Sequence, residues 1–582
     1  MPRTVLFDRP ALAALSAAAG LCLAAAAQAA APPPATAAVP AAKPKGPGFN
    51  AAAAAYKAYD ARDFAAAARG AAEAVRLEPG ERAYRALLVD ARAAAGDVQG
   101  ADAAAAEIER AFGATAALSA QRGYLAMRLG RPADAADRFA QALAQDGLSA
   151  AQRREATLTR ADALSQAGRP REAADALAPY AGEAAYDVQS RRAAALTAAQ
   201  DDAAAAPVFA QAAALAATPE DKAFMLRSRI VALTRLGQRA EARQAFDEAY
   251  RSGALAPSDP VDLGMIALSV GDDRTAQALF DKAPDSPKLA GRAALDAAYS
   301  AKRVRRDEAA VRYFGRGLDA VASGDLSLDP TTAYAIRRDV ADISRVWGAN
   351  GLVSYGAAGV AAGGAPLSGG RGVTQAGGEV YTRLGGYRNG APVEAFARVF
   401  ETVAAETGDP TGAQTAQGWV GLRWKPFRQA NLVLEGSRMI KLGERARDDW
   451  MVRAAYSAGH GMDIDPVRRS WPMWNLYGDV ARIVDYGQTL GVVDARAGWA
   501  VRAGDSEGWI VAPFVGINYA YDSSFARESA LGAGPGVVVR RWFRGDSHAA
   551  PRSYVEASVQ YRARLDGDRR AEGVFATFSI AY

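Results

Sequence analysis

Two hydrophobic periodicities divide the chain. From about residue 50 to 322, apolar positions, mostly Ala, recur at helical spacing between short Gly, Asp and Arg turns; from Gly351 onward the period is two. In the first stretch three segments share the frame G-x-x-x-x-A-x-x-x-F-x-x-A: Gly130, Ala135, Phe139, Ala142; Gly237, Ala242, Phe246, Ala249; and Gly271, Ala276, Phe280, Ala283. The frame recurs in weaker form from Arg62 (Ala67, Ala74, Pro79), Gly96 (Ala101), Gly168 (Ala173), Gln200 (Ala205, Phe209, Ala212) and Arg305 (Ala310, Phe314). Successive starts are 34, 34, 38, 32, 37, 34 and 34 residues apart, which predicts about eight paired-helix units.

The frame and its period resemble tetratricopeptide repeats. Small residues let the two helices of a unit approach, the Phe fills the gap to the next unit, and Gly permits the turn. No single pair buries enough surface to fold alone, so the units are expected to stack into a solenoid with an extended concave face. The repeated Ala and Phe are read as core; a binding face would be lined by other residues. A bridging segment follows over residues 323–350. Asp329-Pro330 marks a helix start, and Ile336, Val340, Ile343 and Trp347 fall four, three and four apart, which puts all four on one helical face ending near Gly348 or Gly351.

Residues 351–582 read as strands. Val574, Ala576, Phe578, Ile580 and Tyr582 alternate with Gly573, Phe575, Thr577, Ser579 and Ala581, and Val555, Ala557, Val559 and Tyr561 alternate with Tyr554, Glu556, Ser558, Gln560 and Arg562. Twelve such runs are predicted, centred near 356, 380, 398, 420, 436, 454, 479, 496, 515, 539, 557 and 576. A soluble sandwich and a closed barrel both accommodate them. The even number, the strand length and the aromatics near strand ends (Trp424, Trp450, Trp474, Trp499, Trp509, Tyr519, Tyr521) favour a transmembrane barrel. Closure also satisfies the strand edges in lipid. If the apolar faces look at lipid, the opposite faces place Glu379, Arg383, Glu394, Arg398, Arg423, Glu435, Arg453, Asp479, Asp494, Arg496, Arg502, Glu556 and Arg562 in the lumen. Such a mixed-sign lining is either an internal salt-bridge lattice or a hydrated path for a polymer. Arg438, Arg482 and Arg541 do not follow the alternation; either they lie near a rim, where long side chains reach water, or the register slips by one.

At the other terminus, Arg3 and Arg9 precede a weakly apolar run, Ala11 to Ala27, and Ala27-Gln28-Ala29 matches the small-residue cleavage pattern of an export signal over residues 1–29. An uncleaved anchor is the alternative, though the run is short for a membrane span. Cys22 follows Leu21, where a lipoprotein signal would carry a small residue. Residues 30–49 are a Pro/Ala-rich linker. The single Cys and two His exclude zinc fingers, CxxC redox sites and a disulfide framework, and a net charge of +5 over 582 residues is no nucleic-acid field. Neither His460 in SAGHGMD nor His548 in RGDSHAAP carries a hydrolase signature. The Gly-rich stretch 363–372 lacks the Lys of a P-loop. The chain is therefore not expected to be an enzyme and no cofactor or metal is implied.

The segment 534–582, with APRSY, EASVQYRARL and the ending VFATFSIAY, resembles the C-terminal domain of the bacteriophage N4 adsorption protein A (NfrA) family. The resemblance implies a periplasmic helical-repeat region before an outer-membrane barrel, a phage-receptor role, and partnership with an inner-membrane glycosyltransferase in exopolysaccharide export. The layout also looks like the repeat-plus-barrel polysaccharide exporters. Val574, Ala576, Phe578, Ile580 and Tyr582 resemble the C-terminal signal read by the barrel assembly machinery. The expected chain is thus an α + β multidomain protein: an N-terminal tetratricopeptide-like α-solenoid, then a transmembrane antiparallel β-barrel of about 12 strands. The expected function is the outer-membrane component of exopolysaccharide secretion, with the polymer, periplasmic proteins, outer-membrane lipid and the assembly machinery as partners. A surface receptor for phage or a non-conducting scaffold is the alternative, and an outer-membrane hydrolase the third.

Overall fold

The computed structural model describes residues 46–356, 372–405, 408–504 and 508–582. The signal segment, most of the linker and most of the Gly-rich stretch lie outside the described residues. The chain forms two compact units, Met1–Gly271 and Asp272–Tyr582.

The first unit holds thirteen helices among its described residues: α1 Phe49–Asp60, α2 Phe64–Leu77, α3 Arg82–Ala94, α4 Val98–Phe112, α5 Ala116–Arg128, α6 Pro132–Leu143, α7 Ala150–Gln166, α8 Pro170–Ala176, α9 Tyr186–Ala198, α10 Asp202–Leu215, α11 Pro219–Arg235, α12 Arg239–Arg251 and α13 Pro260–Ser269. The frame's first position is a left-handed backbone turn in every repeat, with φ of 60° at Arg62, 85° at Gly96, 68° at Gly130, 73° at Gly168, 60° at Gln200, 74° at Gly237, 80° at Gly271 and 65° at Arg305. The reason is a Schellman closure. The residue after the turn donates its N–H five residues back, as in Asp63 to Ala58 O and Arg131 to Ala126 O, both at 2.9 Å. Where that residue is Asp it also caps the next helix: Asp63, Asp97, Asp201 and Asp272 each accept an N–H from the first turn.

Five repeats place Gly at this turn and three place a residue with a Cβ. A left-handed non-Gly residue costs about 1–2 kcal/mol, partly offset by the greater unfolded-state freedom of Gly. Arg62→Gly, Gln200→Gly and Arg305→Gly are therefore each expected to stabilise the repeats by about 0.5–1 kcal/mol. Urea unfolding of the full chain followed by circular dichroism reads this; a lower midpoint in all three would contradict the turn assignment.

The frame's second position, Ala67, Ala101, Ala135, Ala173, Ala205, Ala242, Ala276 and Ala310, is fully buried in all eight repeats. The Phe position is occupied by buried Ala71, Ala105, Phe139, Leu177, Phe209, Phe246, Phe280 and Phe314 in turn. Gly123 explains one close approach: a Cβ there would come within 2.9 Å of the Phe139 ring.

The second unit starts with α14 Asp273–Phe280, α15 Gly291–Arg303, α16 Asp307–Ala322 and α17 Pro330–Ile343. Asp329 caps α17 by accepting the Thr332 N–H at 2.9 Å, as the Asp-Pro pair predicts. The far end of the helix differs from expectation. It stops at Ile343, and Trp347 is the first residue of a strand, 56% exposed and facing outward. The spacing from Ile343 to Trp347 joins the last buried residue of a helix to the first outward residue of a ladder with Thr382. The barrel thus begins before residue 351 and the bridging helix ends before residue 350.

Twelve strands follow: β1 Trp347–Gly356, β2 Val373–Leu384, β3 Val393–Ala404, β4 Gln417–Trp424, β5 Asn431–Lys441, β6 Asp449–His460, β7 Ser470–Ile483, β8 Gln488–Arg502, β9 Trp509–Asp522, β10 Ser529–Phe543, β11 Ser553–Gly567 and β12 Gly573–Ala581. Each pairs antiparallel with its sequence neighbours, and β1 closes on β12 from Asn350↔Ala581 to Tyr355↔Ala576, so the sheet is a closed barrel. One face of each strand is an exposed apolar surface, with Val353, Val380, Val399, Leu422, Val452, Val480, Val515, Val559 and Phe578 pointing away from the interior. Among the described residues no helix is long and apolar enough to cross a membrane.

Candidate functional site: the barrel interior

The two-residue alternation of a strand sends every second side chain inward, and in this barrel the inward set is buried and bonded. All thirteen charged residues assigned to the lumen by alternation sit on that inner side. Eight of them form one chain across β2 to β7. Arg383 donates to Glu394 at 3.2 Å; Arg423 donates to Glu394 at 2.6 Å and to Glu379 at 2.7 Å. Arg398 donates to Glu379 at 2.8 Å and to Glu435 at 3.2 Å, with its side chain 0% exposed. Arg453 approaches Glu435 at 3.5 Å and donates to Asp479 at 2.6 Å. Charges of alternating sign at these spacings hold one another in a low-dielectric interior, where each carboxylate keeps two arginine partners or an arginine and a hydroxyl.

A second group lies on β8, β10 and β11. Asp494 takes Arg496 at 2.7 Å and faces Arg562 at 3.7 Å; Arg562 also donates to Gln560 at 2.8 Å. Glu556 accepts from Arg540 at 2.8 Å. Arg502 donates to the Arg468 carbonyl at 3.2 Å, tying the end of β8 to the β6–β7 loop.

An apolar cluster lies on the inner side toward each end of the barrel. Where β1 begins and β12 ends, here called the helix end, Trp471, Met473, Ala500, Ile510, Ala512, Phe514 and Val538 pack together with Met462 and Ile464 of the β6–β7 loop. Toward the opposite, far end, Phe396, Phe400, Trp419, Met439, Met451 and Ile483 form a second cluster. Between them a polar cleft of about 270 Å³ lies against Glu394, Arg423, Asn431, Glu435, Arg453 and Tyr477.

The β6–β7 loop is held over the helix end from two sides. The Met462 carbonyl accepts Arg540 at 3.1 Å and the Trp542 indole at 3.0 Å, and the Trp471 indole donates to the Gly461 carbonyl at 2.9 Å. From α17, the Tyr334 hydroxyl donates to Asp463 at 2.7 Å, and Arg338 pairs with the same carboxylate while lying 4.8 Å from the Trp542 ring. Burial, with Asp463 alongside, pushes the Tyr334 hydroxyl above its ordinary range. Burial likewise raises the Asp342 carboxyl, against the pull of Arg338 and Arg383. Arg383 in turn donates to the Asp342 carbonyl at 2.6 Å, so the ion chain in the barrel is tied to α17.

Charge alone missed several members of this arrangement. Tyr477 donates to Asp479 at 2.6 Å, Gln560 donates to the Gly534 carbonyl at 2.9 Å, and Asn518 faces Asp494. Each falls on the same parity as the charged set, and that was the available signal. Asp463 and the loop it belongs to carry no pattern that the sequence could disclose. Arg438, Arg482 and Arg541 keep the expected register and point outward near strand ends, so the rim explanation holds and the slipped register does not. His460 ends β6 on the outer side, exposed. His548 sits 2.6 Å from Asp319 of α16, where it joins a barrel loop to a helix. Val574, Ala576, Phe578 and Ile580 lie on the outer face of β12, and Tyr582 follows the strand, its ring 3.6 Å from the Arg544 guanidinium and 5.7 Å from the Trp347 ring.

Residues 408–578, from just before β4 into β12, match the family described as Bacteriophage N adsorption protein A C-term. From β4 into β12 the barrel is therefore similar to that family's C-terminal domain. The helical region is similar to solved repeat proteins. One is a tetratricopeptide repeat protein from Parabacteroides merdae, 16% identical over 41% of this chain and 93% of that one with a TM-score of 0.27. Another is PilW, a type IV pilus biogenesis factor, 16% identical over 38% and 97% with a TM-score of 0.27. A third is YrrB, described as having an unusual peptide-binding site, 14% identical over 31% and 91% with a TM-score of 0.28. At those scores the likeness adds nothing to the helix pairs and buried frame described above. No curated protein matches the chain.

Proposed function

We propose that the protein is an outer-membrane receptor and scaffold: a barrel closed at rest that presents its far-end loops at the cell surface and carries the helical repeats on the periplasmic side. The observation that carries this reading is the buried ion chain, where Arg398 is fully enclosed between Glu379 and Glu435 with an apolar cluster toward each end. The outward apolar face and the closure of β1 on β12 are what a bilayer demands of strands. The family matched by residues 408–578 is named for phage adsorption, which accords with a surface role. The partners proposed are outer-membrane lipid, the barrel assembly machinery acting on the β12 ending, phage at the loops, and periplasmic proteins or an inner-membrane glycosyltransferase at the repeats. The chain's own chemistry is proposed to be binding, with no catalytic step.

One observation favours exopolysaccharide export as a second reading. The cleft beside Glu394, Arg423, Asn431 and Tyr477 offers hydroxyl-matching groups inside the barrel. Passage would require the ion chain to part. A deletion strain decides between the two, assayed for adsorption of phage isolated on its parent and for polymer at the surface and in the periplasm. Lost adsorption with polymer unchanged is the expected result. Lost surface polymer with periplasmic accumulation would move the assignment to export.

A further inference from the structure

The outer face of the barrel is apolar with few exceptions. Among its described strand positions the ionisable outward residues besides tyrosines are Glu401, Arg438, His460, Arg482, Arg541 and, beyond the bulge in β11, Asp566 opposite Leu531. Two of the three arginines stand together. Arg438 on β5 is opposite Trp450 on β6, and Arg482 on β7 is opposite Val452, two residues further along the same β6. Both lie toward the far end, with one strand between them. Strands are spaced about 4.8 Å apart, so the two arginines are about 10 Å apart across the sheet.

Around them the surface is greasy: Trp450, Val452, Val480 and Tyr486 are all more than half exposed. The guanidinium of Arg438 lies 5.6 Å from the Trp450 ring, and Arg482 donates to the Thr489 hydroxyl at 2.7 Å. Neither has a carboxylate within the 4.0 Å of an ion pair among the described residues. The carboxylates nearby make no ion pair with either arginine, although the charge of Arg438 reaches Asp449. Asp449 turns inward and accepts the N–H groups of Trp450, Asp485 and Tyr486 at 2.6, 2.9 and 2.9 Å, and Asp448 accepts the Lys441 N–H at 3.0 Å. Glu401 stands on β3, on the other side of β4. Arg447 adds a third cation above the same strands, 3.6 Å from the Tyr486 ring.

Two guanidinium groups without an ion-pair partner, at the rim of an apolar face, stand at headgroup depth, where an anion complements their charge. We infer that Arg438 and Arg482, flanking Trp450, form a docking site for the phosphate of an anionic lipid in the leaflet at the far end of the barrel. The aromatic ring packs on the acyl chains just below the headgroup, and the guanidinium groups take the phosphate oxygens in forked hydrogen bonds. This rests on the membrane location proposed above.

The test uses full-length protein, wild type, Arg438→Gln/Arg482→Gln and Arg438→Lys/Arg482→Lys. Each is reconstituted in phosphatidylcholine bilayers with and without phosphatidylglycerol. Gel mobility with and without heating checks that each barrel is folded and inserted, and native mass spectrometry reads the ratio of the two lipids retained. An arginine near an anionic headgroup is worth roughly fivefold, so the glutamine pair is expected to lose roughly twenty-five-fold in preference for phosphatidylglycerol. The lysine pair is expected to keep most of it. Equal retention of both lipids by inserted wild-type protein would overturn the lipid site while leaving the membrane location intact. Release of phosphatidylglycerol by inorganic phosphate alone would overturn it in favour of a bare anion site. Failure of the wild type to insert would remove the membrane reading itself.

Discussion

Arg398→Met is expected to destabilise the barrel by about 3–5 kcal/mol, because removing one member of a buried ion group strands its partners. Glu379 and Glu435 both point at the Arg398 guanidinium from opposite sides, and all three side chains are almost wholly enclosed. Without it the two carboxylates face each other in a low-dielectric interior. Arg423 still holds Glu379 at 2.7 Å, while Glu435 is left with Arg453 at 3.5 Å, so Glu435 is the less protected of the two. Neutralising the partners as well, in Glu379→Gln/Arg398→Met/Glu435→Gln, is expected to recover most of the loss, since an uncharged group needs no counterion. Folded and unfolded fractions across a urea series in detergent micelles, resolved by gel mobility without heating, measure both. Equal midpoints for wild type and Arg398→Met would mean that the lattice carries no stability and that the interior is hydrated.

Phe139→Ala should cost about 3–5 kcal/mol in the helical unit. The ring is fully buried, meets Tyr124 edge-on at 4.9 Å and lies against the bare backbone of Gly123. Nothing adjacent can fill the space. The helix carrying Gly123 is already as close as it can come, and Ala135 and Ala142 on the same helix as Phe139 have no further reach. Because each repeat is stabilised by its neighbours, the loss is expected to spread, broadening the unfolding transition of residues 46–271 as well as lowering its midpoint. Circular dichroism at helical wavelengths during urea titration reads both effects. A transition as sharp and as late as the wild type's would contradict the placement of Phe139 at the junction between units.

Much of this architecture was legible because two strict periods run through the chain. The spacing of Arg62, Gly96, Gly130 and their successors located each left-handed turn even where the residue is Arg or Gln, because a buried Ala follows five positions on in every repeat. The alternation along the strands gave the face of the thirteen charged residues assigned to the lumen, while the bulge that puts Asp566 opposite Leu531 had no signal. What the pattern could not carry was which inward residues touch. Arg398 meets two carboxylates whereas Arg502 meets backbone carbonyls, and that depends on the pairing of strands far apart in sequence. Loop placement was equally invisible. Asp463 has no periodic neighbour, yet it joins the β6–β7 loop to Tyr334 and Arg338 of α17. Trp347 shows the opposite failure, since a helical spacing of four was met by chance across a helix end and a strand start.

The closed state of the barrel is tested most directly by ion conductance of purified full-length protein in a planar bilayer. Wild type is expected to insert without conducting, and Arg398→Met to produce flickering conductance as the ion chain loosens. A steady, open conductance from the wild type would contradict a barrel sealed by Glu379, Arg398 and Glu435 and would favour a standing export path.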